Sequence, residues 1–229
     1  MWEGCEYWLQ KTPEVNLWKL MTKGKDELPE CCRHLIVYVD DLLVVAPSKV
    51  RLGFLDRLQK EWNTSAPESV GTNGWTRFAG VELRWNENGG LRINQHSYTK
   101  ELLERHQVTI PRWSPMSKVD LPEESEPGVT TELIRRAQAL TGELLWLSVR
   151  IRPDIGYAVS QMGRAVSKNP TWSLEIGQSI LGFLAATPNH GLTYYPCQED
   201  RGITQIPIQR HEKLVEVYSD ESFAPGGKE

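Results

Sequence analysis

The 229 residues carry 26 Lys and Arg against 30 Asp and Glu, a net charge of −4, so overall charge does not advertise a nucleic-acid binder. No uninterrupted apolar run approaches the roughly 18 residues of a membrane span, and the start MWEGCEYWLQ has no basic stretch leading into an apolar one, which predicts an intracellular chain. Cys5, Cys31, Cys32 and Cys197 have no CxxC spacing, and the histidines fall at no ligand spacing to them. That argues against a zinc site or a disulfide framework and fits a reducing compartment.

In chain order, the first feature is HLIVYVDDLLVV, residues 34–45. It reads as two short β-branched strands forming a hairpin whose tip is the acidic pair Asp40-Asp41. Buried carboxylates cost several kcal/mol each unless something positive meets them. Either the pair sits on a tight turn facing solvent, or it faces a bound cation. The apolar flanks predict a hairpin projecting from a buried sheet. Carboxylates held at such a tip are hard oxygen ligands for Mg²⁺, which prefers one or two carboxylates plus substrate phosphates.

SKVRLGFLDRLQKEW follows, with Val50, Phe54, Leu55, Leu58 and Trp62 on one helical face behind a Ser48 cap. TRFAGVELRW, the turn NENGG and LRINQ predict a second hairpin, with Asn88-Gly89-Gly90 supplying the positive-φ positions. A short helix over Ser97–His106 comes next. From Pro111 to Gly128 the chain holds four prolines and the acids Asp120, Glu123, Glu124 and Glu126, the composition of an exposed linker at a boundary.

Beyond it the apolar period becomes helical. Leu133, Ala137, Leu140, Leu144 and Leu147 define one buried stripe. Arg152-Pro153 ends that helix, and Pro153 opens the next with Asp154 in its first turn. Its stripe is Ile155, Val159, Met162 and Val166. Asn169-Pro170 repeats the start, and Trp172, Ile176, Ile180 and Phe183 carry a third helix to the stop TPNHG. From Thr130 to Pro170 six Lys and Arg face three acids, a local charge of +3 in an acidic chain. The nine tryptophans are scattered and are expected as core or interface anchors. There is no internal repeat. The order is hairpin, helix, hairpin, linker, three helices, strand, which predicts an α+β fold that becomes mainly helical.

Tyr38-Val39-Asp40-Asp41 resembles the YxDD box of reverse transcriptases. Its surroundings resemble the Pol polyprotein of copia-type LTR retrotransposons in particular: NLWKL, FAGVEL, HSYTKELLERH, GELLWLSVRIRPDIGYAVSQMGR, ATPNHGLTYYP and VYSDESFA occur in that family's order, from about Asn16 to Glu229. The resemblance implies a polymerase palm made of acidic hairpin, helix and second hairpin over residues 1–110, and a linker at 111–129. A helical thumb or connection region would follow at 130–196, and the first strand of a ribonuclease H-like domain within 197–229. It implies RNA-directed DNA polymerase activity by two-ion nucleotidyl transfer. Asp40 would be a metal ligand, Asp41 its weaker neighbour and Tyr38 a residue near the primer end. Asp220 would be the first ribonuclease H carboxylate. Mg²⁺ is the implied cofactor, with Mn²⁺ as substitute. The implied partners are an RNA template, a DNA primer and deoxynucleoside triphosphates, with no membrane, in the cytoplasm within a retrotransposon particle and in the nucleus. IRPDI, where the family has threonine first, reads as a structural helix break between two connection helices.

The family also needs an aspartate on an earlier strand. Glu3, Glu6, Glu14, Asp26, Glu27 and Glu30 lie among turn-like or tryptophan-rich text, and nine residues follow Asp220. The expectation is therefore a polymerase segment that is inactive alone. A domesticated non-catalytic binding module and a non-functional remnant stand as the alternatives.

Overall fold

Four strands run in sequence order through the first sheet of the computed structural model, which describes residues 7–23, 29–62, 64–116, 122 and 124–195, with the side chain of Cys32 excepted. Asp220, the ribonuclease H strand expected within 197–229, Glu3, Glu6, Asp26 and Glu27 lie outside the described residues. The strands are β1 (Tyr7–Lys11), β2 (Leu17–Lys23), β3 (Pro29–Tyr38) and β4 (Asp41–Val45), an antiparallel meander in the order β1-β2-β3-β4. The first two were not legible as strands. In β2 the adjacent Leu20 and Met21 are both buried, and the register against β3 shifts between them. A bulge of this kind breaks the alternation that marks a half-buried strand.

Helix α1 (Ser48–Glu61) follows. Leu58 is its buried residue, with Val50, Phe54 and Leu55 half-buried. Two expectations fail here. The N-cap is Pro47, with no side-chain cap bond, so Ser48 begins the helix rather than capping it, and Trp62 lies past the last turn, 66% exposed. Strands β5 (Thr76–Phe78), β6 (Val81–Trp85) and β7 (Leu91–Asn94), with β8 (Leu192–Tyr194) beside β7, form the second sheet. Gly89 takes φ 76 in the β6–β7 turn, which Asn86 closes by accepting from Gly90 N through Oδ1 at 2.6 Å. Gly191 lies so close to the Ile93 carbonyl that an added Cβ would collide with it, which explains a glycine just before β8.

These sheets and α1 make one unit, residues up to Gln95 with Gly191–Thr193; His96–His190 make the other. The division falls earlier than the proline-rich stretch at 111–129. The reason is α2 (His96–Arg105): its Leu102, 1% exposed, belongs to the helical core. Nor do the described residues of 111–129 run free. Arg112 N donates to Gly182 O at 2.9 Å, and its Nη1 donates to Ser179 Oγ at 3.0 Å. Thr171 N donates to the Glu126 carboxylate at 3.0 Å, placing an acid over the start of α5 (Pro170–Ala186), where a carboxylate satisfies an orphan donor and meets the positive end of the dipole.

In the helical unit α3 (Thr131–Arg150) starts at Thr130, whose hydroxyl accepts from Leu133 N, and buries Ala137, Leu140, Leu144 and Leu147. A 3₁₀ turn at Pro153–Ile155 leads into α4 (Gly156–Ala165), which buries Val159 and Met162. Arg152 is only 2% exposed: its Nε and Nη2 donate to the Asp154 carboxylate, and Nη1 and Nη2 donate to the carbonyl and hydroxyl of Thr187. IRPDI is thus a corner in which each nitrogen of the buried guanidinium has a hydrogen-bond partner, the structural reading of that motif. Five of the tryptophans, Trp62, Trp75, Trp85, Trp113 and Trp146, are exposed, so these five do not anchor the core, and the interface half of the expectation is left open. The described residues form two antiparallel sheets and five α-helices, an α+β arrangement, and none of the described helices is long and apolar enough to cross a membrane.

Candidate functional site

Strand β3 delivers the chain to the acidic pair, and Tyr38 and Asp41 form the last cross-strand pair of the β3–β4 ladder. Val39 and Asp40 are therefore the two residues of a tight turn. Val39 is 83% exposed and takes φ 51. A β-branched side chain is strongly disfavoured there, so the turn stores strain that the ladder must hold. Asp40 and Asp41 are exposed, and Tyr38 is half-buried.

The expectation of a hairpin buried on either side of the tip is met only in part. Leu35 is 5% exposed, but on β4 Leu42 and Val45 are exposed at 37% and 49%. The reason is topological: β4 is the edge of its sheet and has a neighbour on one side only. The two carboxylates consequently remain solvated, and the electrostatic cost of burying them is not incurred. The backbone builds a solvent-facing turn with both carboxylates accessible.

That turn is tied down on one side. Asp41 Oδ2 accepts a hydrogen bond from Ala79 N at 2.9 Å. Ala79 and Gly80 connect β5 to β6 with φ 51 and φ 76, and the Gly80 carbonyl accepts from Gln95 Nε2 at 3.0 Å. Gln95 is 2% exposed. A buried amide thus fixes a turn, and the turn fixes one carboxylate. Sequence reading singled out FAGVEL but not this link; its signal was the glycine after Phe78-Ala79, whose positive φ the turn requires.

The tip borders a cleft of about 680 Å³. Its walls are Asp40 and Asp41, Leu55 and Leu58 of α1, Trp75 just before β5 and Arg77 within it. Glu68 also faces it. Asp41 Oδ1 and both Asp40 oxygens carry no hydrogen bond or ion pair to described residues. The pair therefore offers a hard cation up to three carboxylate oxygens, a donor set that suits Mg²⁺ with substrate phosphates completing its shell. No group of three or more His, Cys, Asp or Glu residues able to hold a metal gathers among the described residues.

Two curated proteins are similar to this chain. The Retrovirus-related Pol polyprotein from transposon RE1 of Arabidopsis thaliana is 30% identical over 166 residues, covering 69% of this chain and 10% of that protein. A putative transposon Ty5-1 protein of Saccharomyces cerevisiae is 26% identical over 164 residues, covering 70% of this chain and 51% of that protein. The chain thus spans about a tenth of one relative and about half of the other. No protein-family model matches, and no solved structure does.

Proposed function

We propose that this chain, a relative of the Pol polyproteins of copia-type retrotransposons, is part of the RNA-directed DNA polymerase of such a protein, with Asp40 and Asp41 as metal-binding carboxylates. The observation that carries the reading is the YVDD tip itself: two adjacent carboxylates, one in the two-residue turn and one at the start of β4, at the mouth of a cleft, the second oriented by Ala79 N at 2.9 Å. A bound pair of Mg²⁺ ions would supply activation of the primer 3′-hydroxyl and charge stabilisation for the leaving pyrophosphate. The protein's contribution is positional. The strained turn at Val39 presents Asp40 outward, the Ala79 N–H holds Asp41 toward the β5–β6 turn, and Tyr38 is the side chain next to the tip on the ladder.

Two carboxylates leave an ion largely hydrated, and a nucleotidyl-transfer site demands fixed geometry. The reading therefore assigns a further carboxylate to residues outside the described set, and activity to the whole Pol protein rather than to these 229 residues. RNA template, DNA primer and deoxynucleoside triphosphates are the substrates it assigns. Primer extension on an RNA template by full-length Pol, with and without Asp40→Asn, tests it. Extension lost in the variant supports the assignment, and extension unaffected by Asp40→Asn removes it.

A further inference from the structure

Phe78 and Val81 are the last cross-strand pair of β5 and β6, so Ala79 and Gly80 are the two residues of their turn, at φ 51 and φ 76. Positive φ at both places is the geometry that asparagine followed by glycine fills best. Ala79 instead carries a Cβ into the left-handed region, and it does so at 8% exposure. A conformation of that kind persists only where its surroundings over-determine it.

Gln95, the residue after β7, holds that turn. It is 2% exposed, its backbone N donates to Asn94 Oδ1 at 2.7 Å, and its Nε2 donates to Gly80 O at 3.0 Å. Gly80 is itself exposed, so water could satisfy its carbonyl, and the fold does not need a buried amide for that purpose. What the bond adds is orientation. It fixes the turn from the Gly80 side, and Ala79 N on the other side donates to Asp41 Oδ2 at 2.9 Å. Asp40 accepts no such hydrogen bond from the described residues. The two carboxylates of the tip are therefore unequal: Asp41 is aimed, with Oδ1 left for a ligand, and Asp40 is not.

We propose that Gln95 is a positioning residue for Asp41: acting through the strained Ala79-Gly80 turn, its buried amide sets the direction in which Asp41 Oδ1 meets a divalent cation. The proposal rests on the reading of Asp41 as a metal-binding carboxylate. Hydrogen bonds behind a ligating carboxylate govern how tightly the ion is held, and here that outer layer runs from Gln95 Nε2 to Gly80 O and from Ala79 N to Asp41 Oδ2. Gln95 does not touch the ion. Its effect must therefore pass through Asp41 and disappear when Asp41 is no longer a carboxylate.

A double-mutant cycle read by isothermal titration of Mn²⁺ into the purified chain tests the proposal. Gln95→Met keeps the bulk of the side chain and removes the donor, and it is expected to weaken Mn²⁺ binding about tenfold, the low end of what loss of an outer partner costs a metal site. In the Asp41→Asn background, where Asp40 still binds, the same substitution is expected to change the affinity by no more than about twofold. A side chain that merely stabilised the fold would weaken binding equally in both backgrounds. If circular dichroism shows Gln95→Met unfolded, Gly80→Ala carries the test, because a Cβ at φ 76 disturbs the turn from its exposed side. Wild-type affinity in a folded variant, an equal loss in both backgrounds, or no Mn²⁺ binding by the wild type overturns the proposal. The two readings fail separately. Coupling between Gln95 and Asp41 together with Asp40-independent extension by full-length Pol sinks the catalytic reading and keeps the positioning. Asp40-dependent extension without the coupling does the reverse.

Discussion

An alanine placed at Gly177 should destabilise the helical unit, while the same change at Gly142 should strengthen it. Both glycines are interior to long helices, α5 and α3, so each gains about 1 kcal/mol of helix propensity on becoming alanine. That gain cancels in the comparison and leaves the packing. At Gly142 a Cβ meets nothing within 4 Å; at Gly177 it would lie 2.5 Å from Leu140 Cδ2 and 2.9 Å from Met162 Cε. Leu140 and Met162 are 3% and 0% exposed, so neither can swing into solvent, and the overpacking cost is about 1–3 kcal/mol. The two variants should therefore differ by about 1–3 kcal/mol, or several degrees in Tm for a chain of this size. Urea titrations followed by far-UV circular dichroism read the difference. Equal midpoints would show that α3, α4 and α5 do not meet at Gly177 and would refute the packing.

Three further outcomes follow from named contacts. Val39→Gly should leave stability unchanged or raise it by up to about 1 kcal/mol, because release from the left-handed region offsets the flexibility of glycine; Val37→Gly, within β3, should lower it, and equal losses in the two would remove the strained turn. The Tyr98 hydroxyl has its pKa raised above 10.0, first by burial and then by the Glu143 carboxylate. The fold binds that proton more tightly than the unfolded chain does, so the contribution is complete below pH 10.0 and is lost as pH climbs through the raised value. Tyr98→Phe should flatten the alkaline fall in a denaturation series, and an identical fall would contradict this. Isothermal titration should find weak Mn²⁺ binding, tighter than Mg²⁺, that Asp40→Asn largely removes; equal affinity in the variant would mean that the tip binds no ion.

The helical half was legible because its stripes are long and obey one period. Ala137, Leu140, Leu144 and Leu147 are buried as their spacing requires. The hairpin tip was legible because two aspartates interrupt β-branched text, and Tyr38 and Asp41 pair as that reading demands. The strands β1 and β2 were hidden by a bulge at Leu20-Met21 and by the mixing of lysine and tryptophan with apolar residues. The burial of the hairpin flanks was overestimated because sequence does not reveal that β4 is an edge. The domain division was drawn at the prolines because composition marks linkers, whereas Leu102 shows that α2 packs with the helices. The tie from Ala79 N to Asp41 joins positions 38 residues apart, and local pattern carries no information about such a pair.

The account stands most directly on one measurement: Mg²⁺-dependent primer extension on an RNA template by full-length Pol, compared with Asp40→Asn and Asp41→Asn. Extension by the parent protein that either substitution abolishes, with hybrid binding retained in both, is the predicted result. Extension at the parental rate in both variants would contradict it, and the YVDD turn would then be a turn and nothing more.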